Sequence, residues 1–284
     1  MAATAMTSND EQIRFWNAEG GAQWVRAQGQ LDAMMRGITT ELLTTADPRA
    51  GENVLDVGCG CGDTSLQLMK LVGGGGSVTG LDVSEPMLAE AVRRAALQGG
   101  RQMSFVKADA ATYDFLPTFD LMISRFGVMF FANPTAAFEN LRKALKPRGR
   151  VCFVCWREAR ENEWVRLPVE AASLHAPQLP TPRPEDPGPF SFAAPARVRR
   201  ILAGAGFGEI ALRPFDTPVE LGQDLEGAVS HLQELGPLSR ILREASPPQR
   251  SNAVAAVRAA LAPFAKREPF TLNAAVWVVQ CVRT

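Results

Sequence analysis

Asp56-Val57-Gly58-Cys59-Gly60-Cys61-Gly62 sets an acid and three alternating glycines directly behind a short apolar run. Glycines let the backbone of a turn come close to a ligand, and the N–H groups of a helix opening at Asp63 can face that ligand's carboxylate. Asp82 stands twenty residues beyond Gly62 (82 against 62) at the end of a second apolar run. From there a carboxylate can accept hydrogen bonds from both hydroxyls of a ribose. Turn and acid together predict a ribonucleoside cofactor. Nicotinamide enzymes use the same logic, but their G-x-G-x-x-G turn spaces its third glycine for close helix–strand packing under a pyrophosphate. The alternating spacing here makes an NAD-dependent oxidoreductase the second reading.

Other reactive groups are sparse. His175 and His231 are the two histidines, the side chains able to act as general bases near neutral pH without a large pKa shift. Arg125 and Arg36 could pair with an anionic substrate, although surface ion pairs are arginine's ordinary use. The five cysteines include Cys59-x-Cys61 and Cys152-x-x-Cys155. Residues three apart on a strand point to opposite faces, so the second pair cannot readily share a metal; reduced, buried thiols and no metal are expected. Thirty basic against thirty acidic side chains give zero formal net charge, which removes any global attraction to a phosphate backbone, and nucleic acid is not an expected partner. Residues 1–10 are small and polar, and no apolar stretch approaches the length that spans a bilayer. The expectation is a cytoplasmic monomer or homodimer with a frayed first ten residues.

The reactive positions need regular elements to hold them, and 46% hydrophobic residues in 284 supply a sizeable core. Trp24, Leu31, Met35, Ile38 and Leu42 fall at helical spacings and predict one amphipathic helix. Asn53–Val57 reads as a strand that feeds the glycine turn and a helix carrying Leu66, Leu68, Met69 and Leu71. After the glycine run 73–76, residues 77–83 form a second strand, and Ser84 can cap a helix with Pro86 in its first turn. Strands follow at 103–107 and 119–125, then a helix from Asn133-Pro134 to Leu145, and a fifth strand at 150–156. Strands alternating with helices predict an α/β fold with a doubly wound parallel sheet, because parallel neighbours need a crossover. Eight prolines between 157 and 195 argue against a long helix there. The beat resumes with a helix at 195–205, a strand at 209–213, helices at 225–244 and 249–265 divided by Pro247-Pro248, and a last strand at 273–282.

At this point the chain resembles the class I S-adenosylmethionine-dependent methyltransferases, specifically the group that includes ubiquinone and menaquinone methyltransferases. Residues 54–64, VLDVGCGCGDT, resemble that family's first motif; 80–88, GLDVSEPML, its second; 107–111, KADAA, its third; 119–131, FDLMISRFGVMFF, its fourth; and 141–154, LRKALKPRGRVCFV, the following helix, turn and strand. The resemblance implies a seven-stranded Rossmann-like sheet whose last strand is antiparallel, with S-adenosylmethionine as cofactor. It implies that Asp56, Gly58, Cys59 and Gly60 form the turn, that Asp82 and Val83 sit at the ribose, and that Asp109 accepts from the adenine amino group while the Ala110 amide faces the ring. Ser124 and Arg125 would flank the methionine portion. Met87 and Phe126 combine core packing with cofactor contact, and Trp24 and Gln28 could cover the cofactor. Each acid also has an ordinary alternative as a turn or cap residue.

The implied reaction is methyl transfer to a small, partly apolar molecule by in-line displacement, for which the protein chiefly aligns and dehydrates the reactants. His175, His231 and Arg125 are the catalytic candidates. The expected organisation is a helical cap at 1–48, a cofactor-binding core at 49–156, a Pro-rich insertion at 157–195, completion of the sheet at 196–214 and 269–284, and a helical substrate lid at 215–268. Insertions of that length usually serve as lids or binding elements. Val229, Leu232, Leu235 and Leu238 offer an apolar face there, beside His231 and Glu234. A non-catalytic binding protein of the same fold is the alternative from a different class.

Overall fold

A computed structural model describes residues 9–99, 102–177 and 183–284. The chain opens with three helices, α1 (Asp10–Asn17), α2 (Glu19–Arg26) and α3 (Gln28–Ala46). The single amphipathic helix expected over Trp24 to Leu42 is therefore two: the chain breaks at Ala27, which leaves Trp24 half-buried on α2 while α3 buries Leu31, Met35, Ile38 and Leu42. Asn9, expected to fray, is anchored by side-chain hydrogen bonds, and α1 starts at Asp10.

β1 (Asn53–Val57), α4 (Asp63–Val72), β2 (Ser77–Asp82), α5 (Glu85–Leu97), β3 (Met103–Lys107), β4 (Phe119–Arg125), α6 (Pro134–Ala144) and β5 (Leu145–Trp156) make the alternating half. Buried runs in β1 and β4 and the C-terminal half of β5 carry the core, as expected for strands covered on both faces. β5 starts earlier than the sequence suggests. Between Phe119↔Leu145 and Leu121↔Arg150 the pairing slips, and Pro147 and Gly149 lie within the irregularity instead of ending the chain's approach to the sheet. Ser84 occupies the cap position of α5 but makes no capping bond; its hydroxyl donates to the Trp16 carbonyl at 2.6 Å, tying α1 to the carboxyl end of β2.

The second half holds α7 (Glu163–Ser173), α8 (Pro195–Gly204), β6 (Phe207–Gly222), α9 (Leu225–Glu234), α10 (Pro237–Glu244), α11 (Pro247–Leu261) and β7 (Phe270–Arg283). The segment 157–195, expected to hold no long helix, holds the eleven-residue α7: only Pro168 falls inside it, buried with Trp164, Val165 and Ala172, so packing offsets one lost backbone bond. β6 runs nine residues past Arg213, through Pro214 and Pro218. It is an edge strand paired only to β7, where a proline's missing N–H costs no ladder bond. The insertion therefore begins after Gly222 and not at 215. The expected helix 225–244 is broken at Leu235-Gly236, where Gly236 takes φ 81°.

The seven strands lie in the order β3-β2-β1-β4-β5-β7-β6, with β7 antiparallel to both neighbours. This is the seven-stranded, mostly parallel Rossmann-like sheet. The order reverses between β1 and β4, and at such a switch point two strand ends diverge and leave a crevice.

Candidate active site

That crevice is the mouth of a cavity of about 1010 Å³, lined by the carboxyl ends of β1, β2 and β4, by α1 to α3, and by residues of α7, α9 and α10. Gly58 closes β1 with φ 68°, and a Cβ there would stand 2.7 Å from the Cα of Gly127 beyond β4. Only glycine lets the two strand ends meet so closely. Gly60 and Gly62 also take left-handed conformations, φ 54° and 81°. The turn is tied to β2 by the carboxylate of Asp82, which accepts from the Gly60 N–H and the Ser84 N–H, both at 2.8 Å. Burial raises the Asp82 pKa, opposed by the N–H groups of Ser84, Gly60 and Val83.

Most of the residues singled out from the sequence converge on this cavity: Trp24, Gln28, Gly58, Cys59, Gly60, Asp82, Val83, Met87, Asp109, Ala110, Arg125, Phe126 and His231 all line it. Four do not. Asp56 lies behind the glycine turn, fully buried, with one oxygen accepting from the Ser65 hydroxyl at 2.6 Å and the other without a partner. Burial pushes its carboxyl up to about 6, against the Ser65 bond and the Arg125 charge. Ser124 is buried too. Its hydroxyl donates to the Val57 carbonyl at 2.8 Å and accepts from the Gly127 N–H, so it braces the switch point and does not line the cavity. His175 and Arg36 are exposed and line nothing here.

Asp109 is engaged twice. It accepts from the Ala111 N–H at 2.9 Å, and both carboxylate oxygens accept from the Asn9 side-chain amide at 2.8 and 3.0 Å, while Asn9 Oδ1 accepts from the Ala132 N–H. Arg125 pairs with Asp63 at 2.7 Å and donates to the Thr39 hydroxyl. Arg94 pairs with Asp32 at 2.8 Å and donates to the Cys61 carbonyl. Burial raises the Asp32 pKa, as does Asp63, with Arg94 pulling the other way. These two acids and two arginines form a neutral, part-buried floor under the glycine turn. The cysteines are free and buried. Cys59 is pushed well up by burial and Cys61 to about 12, so neither is a ready thiolate at the cavity wall.

Asn9, Asp32, Asp63 and the aromatic residues Trp16, Trp156 and Trp164 were not singled out by the sequence, whereas Phe126 and Trp24 were. Phe126, left-handed at φ 65°, stacks on Trp156 with centroids 4.1 Å apart, and Trp164 leans on Trp156. Trp16 meets Trp24 and Phe130 edge-on across 5.7 and 5.4 Å. Asp63 could have been found from its place directly after the glycine turn. Asn9, Trp16, Trp156 and Trp164 carry no local signal, because only the folded chain brings them to the strand ends.

A doubly wound sheet with a glycine turn at its switch point and acids at the ends of three successive strands defines a nucleoside-binding domain. Residues 54–149 match the family described as a methyltransferase domain. Over 200 residues the chain is 31% identical to nocamycin O-methyltransferase of Saccharothrix syringae, covering 67% of this chain and 69% of that protein. It is 38% identical over 106 residues to the ubiquinone/menaquinone biosynthesis C-methyltransferase of Roseobacter denitrificans, 37% of this chain and 42% of that protein, so it spans less than half of that relative's length. The chain belongs to the S-adenosylmethionine-dependent methyltransferases. Among solved structures, phosphoethanolamine N-methyltransferase 2 of Haemonchus contortus with S-adenosyl-L-methionine shares the fold at 17% identity and a TM-score of 0.57, across 98% of this chain and 60% of that one. Among the described residues, no helix is long and apolar enough to cross a membrane and no cluster of ligating side chains could hold a metal ion.

Proposed function

We propose that the chain transfers a methyl group from S-adenosylmethionine to a small, partly apolar molecule held in the same cavity as the cofactor. The observation that carries this reading is the cavity itself. At about 1010 Å³ it reaches the upper end of the roughly 300–1,000 Å³ of small-molecule sites, and it runs from the glycine turn to residues of α9 and α10, among them His231, Leu232 and Ile241. That is room for a donor and an acceptor together.

The residues present fit the cofactor. Gly58, Cys59 and Gly60 line the cavity as a turn whose left-handed backbone at Gly58 and Gly60 suits glycine, and the Asp82 carboxylate beside it can accept from two ribose hydroxyls. Val83, Met87, Asp109 and Ala110 surround the place for adenine, with Trp24 and Gln28 over it and Arg125 and Phe126 toward the methionine portion. When bound, the cofactor supplies an electrophilic methyl on a sulfonium. The chain's part is to align the acceptor opposite sulfur and exclude water, which the aromatic walls and the lid of α9 and α10 are placed to do. The relatives act at oxygen, carbon and nitrogen by their names, so membership of the family does not set the acceptor atom.

Calorimetry with S-adenosylhomocysteine tests the cofactor assignment. Wild type should bind it, and prefer it to NAD, while Asp82→Ala should bind at least tenfold more weakly with its circular dichroism retained; equal affinity in a folded Asp82→Ala chain rejects the ribose assignment. Incubation with methyl-labelled cofactor and a metabolite extract then identifies the product.

A further inference from the structure

His231 is the one histidine that the fold carries into the cavity, and its setting there is specific. It sits on the lid helix α9 with 3% of its surface exposed. Its Nδ1 lies 3.3 Å from Oε1 of Gln30 on α3. A side-chain carbonyl can only accept, so Nδ1 carries the hydrogen and the lone pair is left on Nε2. Nε2 has no protein partner, yet it is not sealed away. Among the described residues the buried side-chain polar atoms without partners are Asp56 Oδ1 and Arg157 Nε, and Nε2 opens on the cavity that His231 lines.

The charges around the ring leave it neutral. Burial lowers its pKa, and Glu234, on the same helix, pulls weakly the other way. Asp32 of α3 is held by Arg94, Arg243 of α10 by Glu19 of α2, and Glu226 of α9 by Arg258 of α11. Arg240 of α10 lines the cavity and can only favour the neutral ring. A neutral imidazole with an oriented lone pair in a largely apolar cavity is a general base.

Resting on the reading of the cavity as the methyl-transfer site, we propose that His231 removes the proton from the hydroxyl of a planar phenolic or enolic acceptor, and that Gln30 is its positioning residue. Aromatic walls such as Trp156 and Trp164 suit a flat, apolar body, and an acidic O–H is the acceptor group that gains from a base at neutral pH. In the step, Nε2 takes the hydroxyl proton, and the oxygen's electron pair forms the O–CH₃ bond. The CH₃–S bond breaks with its pair passing to sulfur, giving the methyl ether and S-adenosylhomocysteine. The imidazolium then returns its proton to water.

The experiment uses the full chain. Because there are only two histidines, ¹⁵N spectra with a His175→Gln control assign His231 directly. The expected result is the Nδ1–H tautomer with a pKa below the ordinary histidine value; Gln30→Leu should lose the tautomer preference and Gln30→Glu restore it. A ring with hydrogen on Nε2 at neutral pH overturns the proposal. With methyl-labelled S-adenosylmethionine and a panel of planar phenols, enolisable diketones and amines, wild type should methylate the O–H acceptors. His231→Gln should lose about a hundredfold or more of that turnover, the lower end of ~10²–10⁴ for general bases, and with it the acid limb of the pH profile. His175→Gln should match wild type. Turnover in His231→Gln within twofold of wild type, or a panel in which only amines react or nothing does, overturns the base. Binding of S-adenosylhomocysteine is measured on the same proteins. Unchanged affinity in His231→Gln separates failure of the base from failure of the cofactor site, which would appear as lost binding in wild type itself.

Discussion

Asp56 is a carboxyl group in a place that disfavours its charge, and the sign of that effect can be measured. Its pKa is raised from 3.8 to about 6 by burial. An acid whose folded pKa is raised contributes stability that is fully present below about pH 3.8 and lost as pH rises through about 6. At pH 7 the loss is about 3 kcal/mol, from roughly 1.4 kcal/mol per pKa unit. Urea unfolding of wild type and Asp56→Asn at pH 4, 5, 6 and 7 should show the wild type losing ground to the variant across that window; curves that stay parallel reject the buried-charge account. The glycines of the turn also separate. Gly58→Ala meets both a left-handed φ and the Gly127 backbone, whereas Gly60→Ala meets the same kind of strain but only Met87 Sδ at 3.9 Å. Gly58→Ala should therefore lower the melting temperature and cofactor affinity more than Gly60→Ala, each strained residue costing of order 1–3 kcal/mol; equal effects would deny the close strand approach its importance. Gly58 and Asp82 were marked in the sequence by their type and spacing and Asp109 by the family resemblance, and all three line the cavity. Ser124 was misread because its motif position says nothing about which way a strand residue points.

At the scale of elements, the helices between β6 and β7 divide by packing. α11 buries Ala253, Val257 and Leu261 in the main core, while α9 brings His231 and Leu232, and α10 Ile241, to the cavity. Replacing residues 224–245 with a Gly/Ser linker, with α11 kept, should preserve S-adenosylhomocysteine binding and abolish transfer to whichever acceptor is found; a folded variant with unchanged turnover would show that these helices do not select substrate. The five strands of the first half and their helices could be read from apolar runs and turn residues, because covered strands and capped helices write themselves into adjacent positions. β6 could not. Its prolines look like breakers and are harmless only because the strand is at the edge, a fact of topology. Pro168 within α7 is equally illegible locally, since its burial is decided by elements far away in the chain.

For the whole molecule, neither periodicity nor spacing contains the strand order; the expectation of seven strands with an antiparallel last came from the family resemblance, and pairing along the full lengths of β6 and β7 bears it out. The same long-range closure brings Asn9 to Asp109. With Asp109 assigned to the adenine amino group, the Asn9 amide offers that carboxylate the same kind of N–H donor that adenine would. Stopped-flow binding should show Asn9→Ala taking up S-adenosylhomocysteine severalfold faster than wild type; identical rates would mean that the contact yields without cost. On that assignment Asn9 is an intramolecular competitor for the adenine amino group, and being tethered it acts at an effective concentration no free ligand adjusts.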